Sequence, residues 1–304
     1  MKAKAVRKTP TAEKQAKELL KGAIDFHIHT GPDIYPRLLH DVEVARQAKR
    51  AGMRAVLIKS HVTITADRAQ IAQAVAELPV FGGVTLNWQV GGLNRYAVEC
   101  AAKFGARQVW MPTTHAAQYL KYADHVPMFA KALSKDVPGI TILNPDGSLV
   151  PEMGPILEII AQNDMILATG HLSPGEGLAL IREAKSAGVK KIVVTHPVAS
   201  FVHYSIDEMR QALSLGATFL EHVFNDCTPQ VAHPLPPSAL GDAIKAVGPE
   251  HCIMSTDSGQ VVNPPPVLVM KRYIHEMLQY GFSSRAIRKM TATNPGRLLN
   301  VLSS

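Results

Sequence analysis

From Ile24 onward the chain repeats one pattern. Apolar residues at helical spacing are followed by a glycine, then by a short apolar, β-branched run that ends in polar residues. Asp41 caps a helix that Gly52 ends, and Arg54–His61 (RAVLIKSH) follows as a strand. Asp67–Leu78 is the next helix and Val80–Asn87 the next strand; Asn94–Phe104, closed by Gly105, precedes the strand Gln108–Thr114. Met165–Ser173, Lys191–Pro197, Thr218–Asn225 and Cys252–Gly259 are strands too, and Ser205-x-x-Glu208 is a capping box opening one of the intervening helices. With Ile24–Pro32 in front, eight strands alternate with helices. Such alternation predicts parallel strands with helical crossovers, and eight of them suit a closed (β/α)8 TIM barrel of about 250 residues. An open doubly wound sheet is the alternative, but no glycine-rich phosphate loop follows the first strand. The longer interval between strands four and five holds Ile140–Val150, where Asp146-Gly147 between apolar runs reads as an inserted hairpin. Thr11–Leu20 reads as a short amphipathic helix stopped at Gly22, preceded by a polar tail over residues 1–10, so the chain reads as one barrel domain.

Composition narrows the function classes. The 304 residues are 46% hydrophobic and 19% charged, a globular balance, and no apolar run approaches the ~18 residues of a membrane span. The net charge of +7 suggests nucleic acid until it is located: seven basic and two acidic residues lie among the first 21, a net +5, which leaves only +2 for the rest. No basic stripe interleaved with aromatics remains in the body, so nucleic acid and membrane are discounted as partners. Three scattered cysteines (Cys100, Cys227, Cys252) without a C-x-x-C pair, and no secretory signal, predict a reducing, cytoplasmic setting and no thiolate metal cluster.

Chemistry concentrates where the strands end. In I-D-F-H-I-H-T-G-P (Ile24–Pro32), a period of two puts Ile24, Phe26 and Ile28 on one face and Asp25, His27 and His29 on the other, and Gly31-Pro32 stops the strand. Two imidazoles side by side can share a cation at about 2.0–2.1 Å. Of thirteen histidines, seven (His27, His29, His61, His115, His171, His196, His222) fall at or just past predicted strand C-termini, the rim on which a barrel carries its chemistry. Asp257 ends the eighth strand with Ile253 and Ser255 on its face, and barrel closure makes it a neighbour of strand one. His40, His125, His203, His233, His251 and His275 are assigned solvated or structural places.

H-x-H on strand one, His171 ending strand five, His196 ending strand six and Asp257 ending strand eight resemble the amidohydrolase superfamily of metal-dependent hydrolases. Thr291–Leu299, a helix opened by Asn294-Pro295, is similar to that superfamily's C-terminal end, and the G-P-D, T-G-H and V-T-H-P segments look most like its sparsely characterised members. The resemblance implies one or two divalent cations, commonly zinc with manganese as an option. His27, His29 and Asp257 would hold a buried ion and His171 and His196 a more exposed one. The sequence departs from the pattern on strand four, where many two-metal members carry a bridging carboxylated lysine or glutamate and this chain has Thr113, Thr114 and His115. Lys59, sharing a face with Leu57 and His61, is the candidate replacement, either as a carbamylated bridge or as an ammonium for a substrate carboxylate. Without a bridge, a single ion on His27, His29, His171 and Asp257 leaves His196 as a base or substrate contact.

The expected function is a metal-dependent hydrolase cleaving a C–N or ester bond of a small, polar substrate, an anion among the options, with Asp257 as general base and acid. A metal-dependent decarboxylase on the same barrel and a non-catalytic ligand-binding barrel are the alternatives. Arg37 (an anion clamp or a surface arginine), His61, His115 and His222 are candidate substrate contacts. Glu221 and His222 cannot both face inward, so one of them packs against a helix. The Pro-rich loops Thr228–Pro237 and Asn263–Pro266 are candidate walls over the rim. Oligomeric state stays open, a homo-oligomer included.

Overall fold

In the computed structural model, which describes residues 11–122 and 137–301, eight parallel strands run in sequence order around a barrel. They are β1 (Ile24–His29), β2 (Ala55–Lys59), β3 (Val80–Thr85), β4 (Gln108–Trp110), β5 (Ile166–Ala168), β6 (Lys191–Thr195), β7 (Phe219–Val223) and β8 (Cys252–Ser255). Closure is made at the H-x-H itself: Asp257 N donates to His27 O and His29 N to Ser258 O, both at 2.8 Å. The strands end two to five residues earlier than the apolar runs predict. His61, His115, His171, His196 and Asp257 therefore stand in the loops just beyond the ladder rather than on it.

Alternation sorts the strand residues into two layers. Ile24, Phe26, Leu57, Trp110, Ile166, Ala168, Val193, Phe219 and Ile253 form one buried cluster inside the barrel. Val56, Ile58, Cys252 and Met254 face outward onto helix residues such as Val44, Ala72 and Ile274, and Leu167, Ile192, Val194 and Leu220 do so on the other side with Ile156, Leu180 and Ile181. Trp110 fills the barrel axis because Gly83 leaves it room. A Cβ at Gly83 would stand 2.2 Å from Gln108 O and 2.6 Å from the Trp110 ring.

Thr11 caps the helix Ala12–Leu20, which buries Ala16, Leu19 and Leu20 and packs on the helix Pro266–Tyr280. The helix Asp41–Arg50 is capped by His40 rather than Asp41. The Asp41 carboxylate is engaged elsewhere, accepting from Thr30 Oγ1 and from Arg68 Nε (2.7 Å). In the insert, Asn144 N donates to Ser148 O (2.8 Å) and Val150 N to Ile142 O (2.9 Å) around the Asp146-Gly147 tip. Its arms meet in a single Leu143–Leu149 bridge, so it is a hairpin turn without full strands. Its base is pinned by Glu176, which accepts from Thr141 Oγ1 at 2.7 Å. The basic tail over residues 1–10 and His125 lie outside the described residues.

Candidate metal centre

The two histidines of β1 face the barrel axis because the strand carries a bulge. Asp25 is paired with Val56 and Ile28 with Ile58, so three steps along β1 match two along β2. A bulge of this kind re-aims the side chains that follow it. Ile24 and Phe26 point inward before the extra residue, and His27 and His29 point inward after it, while Ile28 joins the outer layer. The simple alternation expected for this strand, with Phe26 opposite His27, is thereby corrected.

Asp257 and His196 are placed by backbone that few residues adopt. Their φ angles are +50° and +53°, in the left-handed region, where a non-glycine residue costs of order 1–3 kcal/mol and persists only if its surroundings impose it. Gly259 contributes to that constraint: it presses on strand one so closely that a Cβ there would sit 1.8 Å from His29 O. The result is a convergence on one carboxylate. Asp257 Oδ1 lies 3.1 Å from His27 Nε2 and 2.9 Å from His29 Nε2, and Oδ2 lies 3.6 Å from His196 Nε2 and 3.3 Å from Asn225 Nδ2. One ligand atom each from His27, His196 and Asp257 falls within 4.8 Å of the others. The His171 ring centre is 5.2 Å from that of His196, and His61 stacks on His29 at 4.8 Å.

The protonation states of Asp257, His29 and His171 suit a cation, whereas at His27 burial is outweighed by the facing carboxylates of Asp257 and Glu221, which raise the pKa. Burial alone would raise the Asp257 pKa, but the facing imidazoles of His27 and His29 outweigh it and hold the carboxyl well below the usual range. Burial pushes His29 and His171 well below their usual value, so both are neutral donors. Both nitrogens of His27 and of His196, and Nδ1 of His171, are buried without a hydrogen-bond partner. Unpaired buried nitrogens are costly, and neutral imidazoles beside an ionised carboxylate are the donor set of a divalent site. The residues present fit such an ion. Beneath them, Lys59 is fully buried with its Nζ unpaired and 5.5 Å from the centre of Trp110. Burial lowers its pKa to about 8, against the opposing charges of Asp257 and Glu221.

The expected substrate contacts divide. His61 lines a small cavity of about 20 Å3, room for one water, together with His29, His171, Asp257, Tyr119 and Phe201. Arg37 is no surface arginine: its side chain is 1% exposed, Nε donates to Asp33 at 2.9 Å, and Nη1 has no partner. His115 does not line the cavity; its backbone is held by Asn87 and Ile140, and Tyr119 and Phe201 wall that side. His222 pairs with the outward Met254 and is buried in the strand–helix layer, so Glu221 is the inward residue of β7. Glu221 Oε1 reaches His27 Nδ1 at 3.3 Å. Asp226, in the turn after β7, reaches His196 Nδ1 at 3.5 Å and was not expected here. Only its place just past a strand end could have flagged it. The two Pro-rich loops do meet over the centre, where Asn263 Nδ2 lies 3.0 Å from Asn225 Oδ1 and 3.1 Å from Gln230 Oε1 and Gln260 Oε1.

Comparison with solved structures returns barrels of this kind. An amidohydrolase from Pseudomonas aeruginosa is 12% identical, with a TM-score of 0.59 over 96% of this chain and 98% of that one. An organophosphorus hydrolase from Deinococcus radiodurans is 12% identical, with a TM-score of 0.52 and 93% of each chain covered. A 2,6-dihydroxybenzoate decarboxylase from Rhizobium is 12% identical, with a TM-score of 0.57 over 92% of this chain and 99% of that one. At such identities the likeness is one of fold, and in fold it agrees with the amidohydrolase resemblance carried by the motifs. No curated protein matches the chain in sequence. Among the described residues no helix is long and apolar enough to cross a membrane. A family model matches residues 22–220, from the turn before β1 into β7, and the chain belongs to that family, the Family of unknown function (DUF6282).

Proposed function

We propose that the protein is a metal-dependent hydrolase that cleaves a C–N or ester bond of a small polar substrate. The observation that carries this reading is the buried convergence of His27, His196 and Asp257 at the C-terminal mouth of the barrel, with His29 and His171 beside them. When bound, a divalent cation, zinc or manganese, supplies Lewis acidity and lowers the pKa of a water toward ~7. His27, His29 and Asp257 would hold a buried ion and His171 and His196 a second, more exposed one, or His27, His29, His171 and Asp257 a single ion. Asp257, kept ionised by the facing imidazoles, takes the water's proton and returns it to the leaving group. Asn225, donating to Oδ2, keeps that carboxylate turned toward the cavity. Phe201, Tyr119 and Val231 wall the cavity and exclude bulk water. The unpaired Nη1 of the buried Arg37 supports an anionic group on the substrate, and His61 a polar one. Lys59 is either a carbamylated bridge between two ions or an ammonium. The three free cysteines fit a reducing, cytoplasmic setting.

Decarboxylation is the second reading, favoured by the decarboxylase among the similar barrels. Metal analysis coupled to a screen of lactones, amides, carbamates and phosphoesters, with carbon dioxide release measured from aromatic acids, separates the two. Hydrolysis that follows metal content supports the first. Metal-dependent carbon dioxide release with no hydrolysis replaces it with the second.

A further inference from the structure

The seventh strand bears on the centre from outside the ligand set. Glu221 is fully buried, and neither of its carboxylate oxygens makes a hydrogen bond. A carboxylate in that state needs a partner, and His27 Nδ1 faces it at 3.3 Å. The other nitrogen of the same ring, Nε2, faces Asp257 at 3.1 Å. Nδ1 and Nε2 point away from each other across an imidazole, so an ion on Nε2 is out of reach of Glu221, which is thus no ligand. Five residues on, the pattern repeats: Asp226 faces His196 Nδ1 at 3.5 Å while Nε2 of that ring faces Asp257 at 3.6 Å.

We propose that β7 and the turn after it supply the outer carboxylates of this centre, Glu221 fixing the ring of His27 and Asp226 that of His196, each by accepting from Nδ1–H so that Nε2 is turned to the ion. The proposal rests on the metal reading above. Glu221 and Asp226 are positioning residues: each sets the tautomer of its histidine and makes the free nitrogen a better donor, an effect that typically carries 10–100-fold in metal affinity.

The test is zinc affinity, measured by competition with a chromophoric chelator, for the wild type, Glu221→Gln, Asp226→Asn and the charge-preserving Glu221→Asp. Circular dichroism and the melting temperature of the metal-free proteins are measured alongside. The expected result is zinc binding weakened roughly 10–100-fold in the Gln and Asn variants at unchanged fold, with partial recovery in Glu221→Asp. Zinc bound by Glu221→Gln and Asp226→Asn as tightly as by the wild type overturns the proposal. Nitrogen-15 NMR of the zinc-loaded wild type gives a readout independent of any variant's folding: His27 and His196 should bind zinc through Nε2 and carry their proton on Nδ1, and coordination through Nδ1 in either overturns its assignment. Wild-type protein that binds neither zinc nor manganese removes the metal reading itself, whereas wild-type binding that the Gln and Asn variants leave unweakened rejects only the placement of Glu221 and Asp226.

Discussion

Thr256 donates its backbone N–H (3.0 Å) and its hydroxyl (2.7 Å) to the two carboxylate oxygens of Asp25, so that β1 and the end of β8 are clasped one residue before Asp257. Asp25 is buried, and burial raises its pKa to about 7 in spite of these bonds. Thr256→Val keeps the shape and removes the hydroxyl donor. It should cost about 1–3 kcal/mol of stability, the penalty for a buried acceptor left short of a partner, and lower metal occupancy by loosening Asp257. Chemical denaturation and metal analysis read the two effects; an unchanged unfolding midpoint would show that the clasp carries no stability.

His27→Ala or His29→Ala should remove bound metal and activity together. Each loss should exceed the roughly 10–100-fold that follows from losing an orienting hydrogen bond, because a ligand atom itself is gone. Full activity of metal-replete His29→Ala would sink the assignment of the centre.

Gly83→Ala probes the packing under the site rather than its chemistry. The added methyl meets the Gln108 carbonyl and the Trp110 ring, and the carbonyl belongs to a ladder that cannot move freely. The cost should reach or exceed the upper end of the ~1–3 kcal/mol typical of overpacking, seen as a lowered melting temperature. A melting temperature equal to the wild type's would mean that the barrel interior is looser than this geometry.

His222 gives a pH dependence with a definite sign. Burial lowers its pKa from 6.5 to about 3, so above 6.5 it is neutral whether the chain is folded or not. As the pH falls from 6.5 toward 3, the unfolded chain takes up a proton that the folded one refuses, and stability is lost by about 1.4 kcal/mol per pH unit, or roughly 2 kcal/mol at pH 5. His222→Leu removes that share. Its denaturation midpoint should fall less than the wild type's between pH 7 and pH 5, and parallel curves for the two proteins would refute the assignment.

Lys59 decides the number of ions. If it bridges as a carbamate, Lys59→Ala should drop bound metal from two toward one, and acetate or propionate should restore part of the activity. If it is an ammonium, the variant should keep its metal, raise KM for an anionic substrate and gain nothing from acetate. Metal content per chain, measured with and without acetate, separates the two.

The strand order, the crossovers and the rim were legible because each rests on local chemistry. A run such as Lys191–Thr195 has only one good use, as a strand between a glycine-stopped helix and a polar end. H-x-H, His171, His196 and Asp257 could be read off because barrel closure turns strand ends into one rim whatever the loops do. Facing was less legible. In β7 both Phe219 and Leu220 are apolar, so hydrophobicity did not say whether Glu221 or His222 turned inward; only the ladder to Ile253 and Met254 did. Arg37 could not be told from a surface arginine until the loops after β1 and β8 paired, Leu38 N on Gly259 O, and buried it.

What the sequence determined by itself was therefore the barrel, the order of its elements and the histidines and carboxylate at its mouth, since hydrophobic period, caps and turns act over a few residues at a time. The tertiary structure alone decided the bulge that turns both His27 and His29 inward, the left-handed backbone at His196 and Asp257, and the approach of Glu221 and Asp226 to their rings. Each of these depends on what lies across a strand pair or a loop contact tens or hundreds of residues away, and no local propensity encodes it.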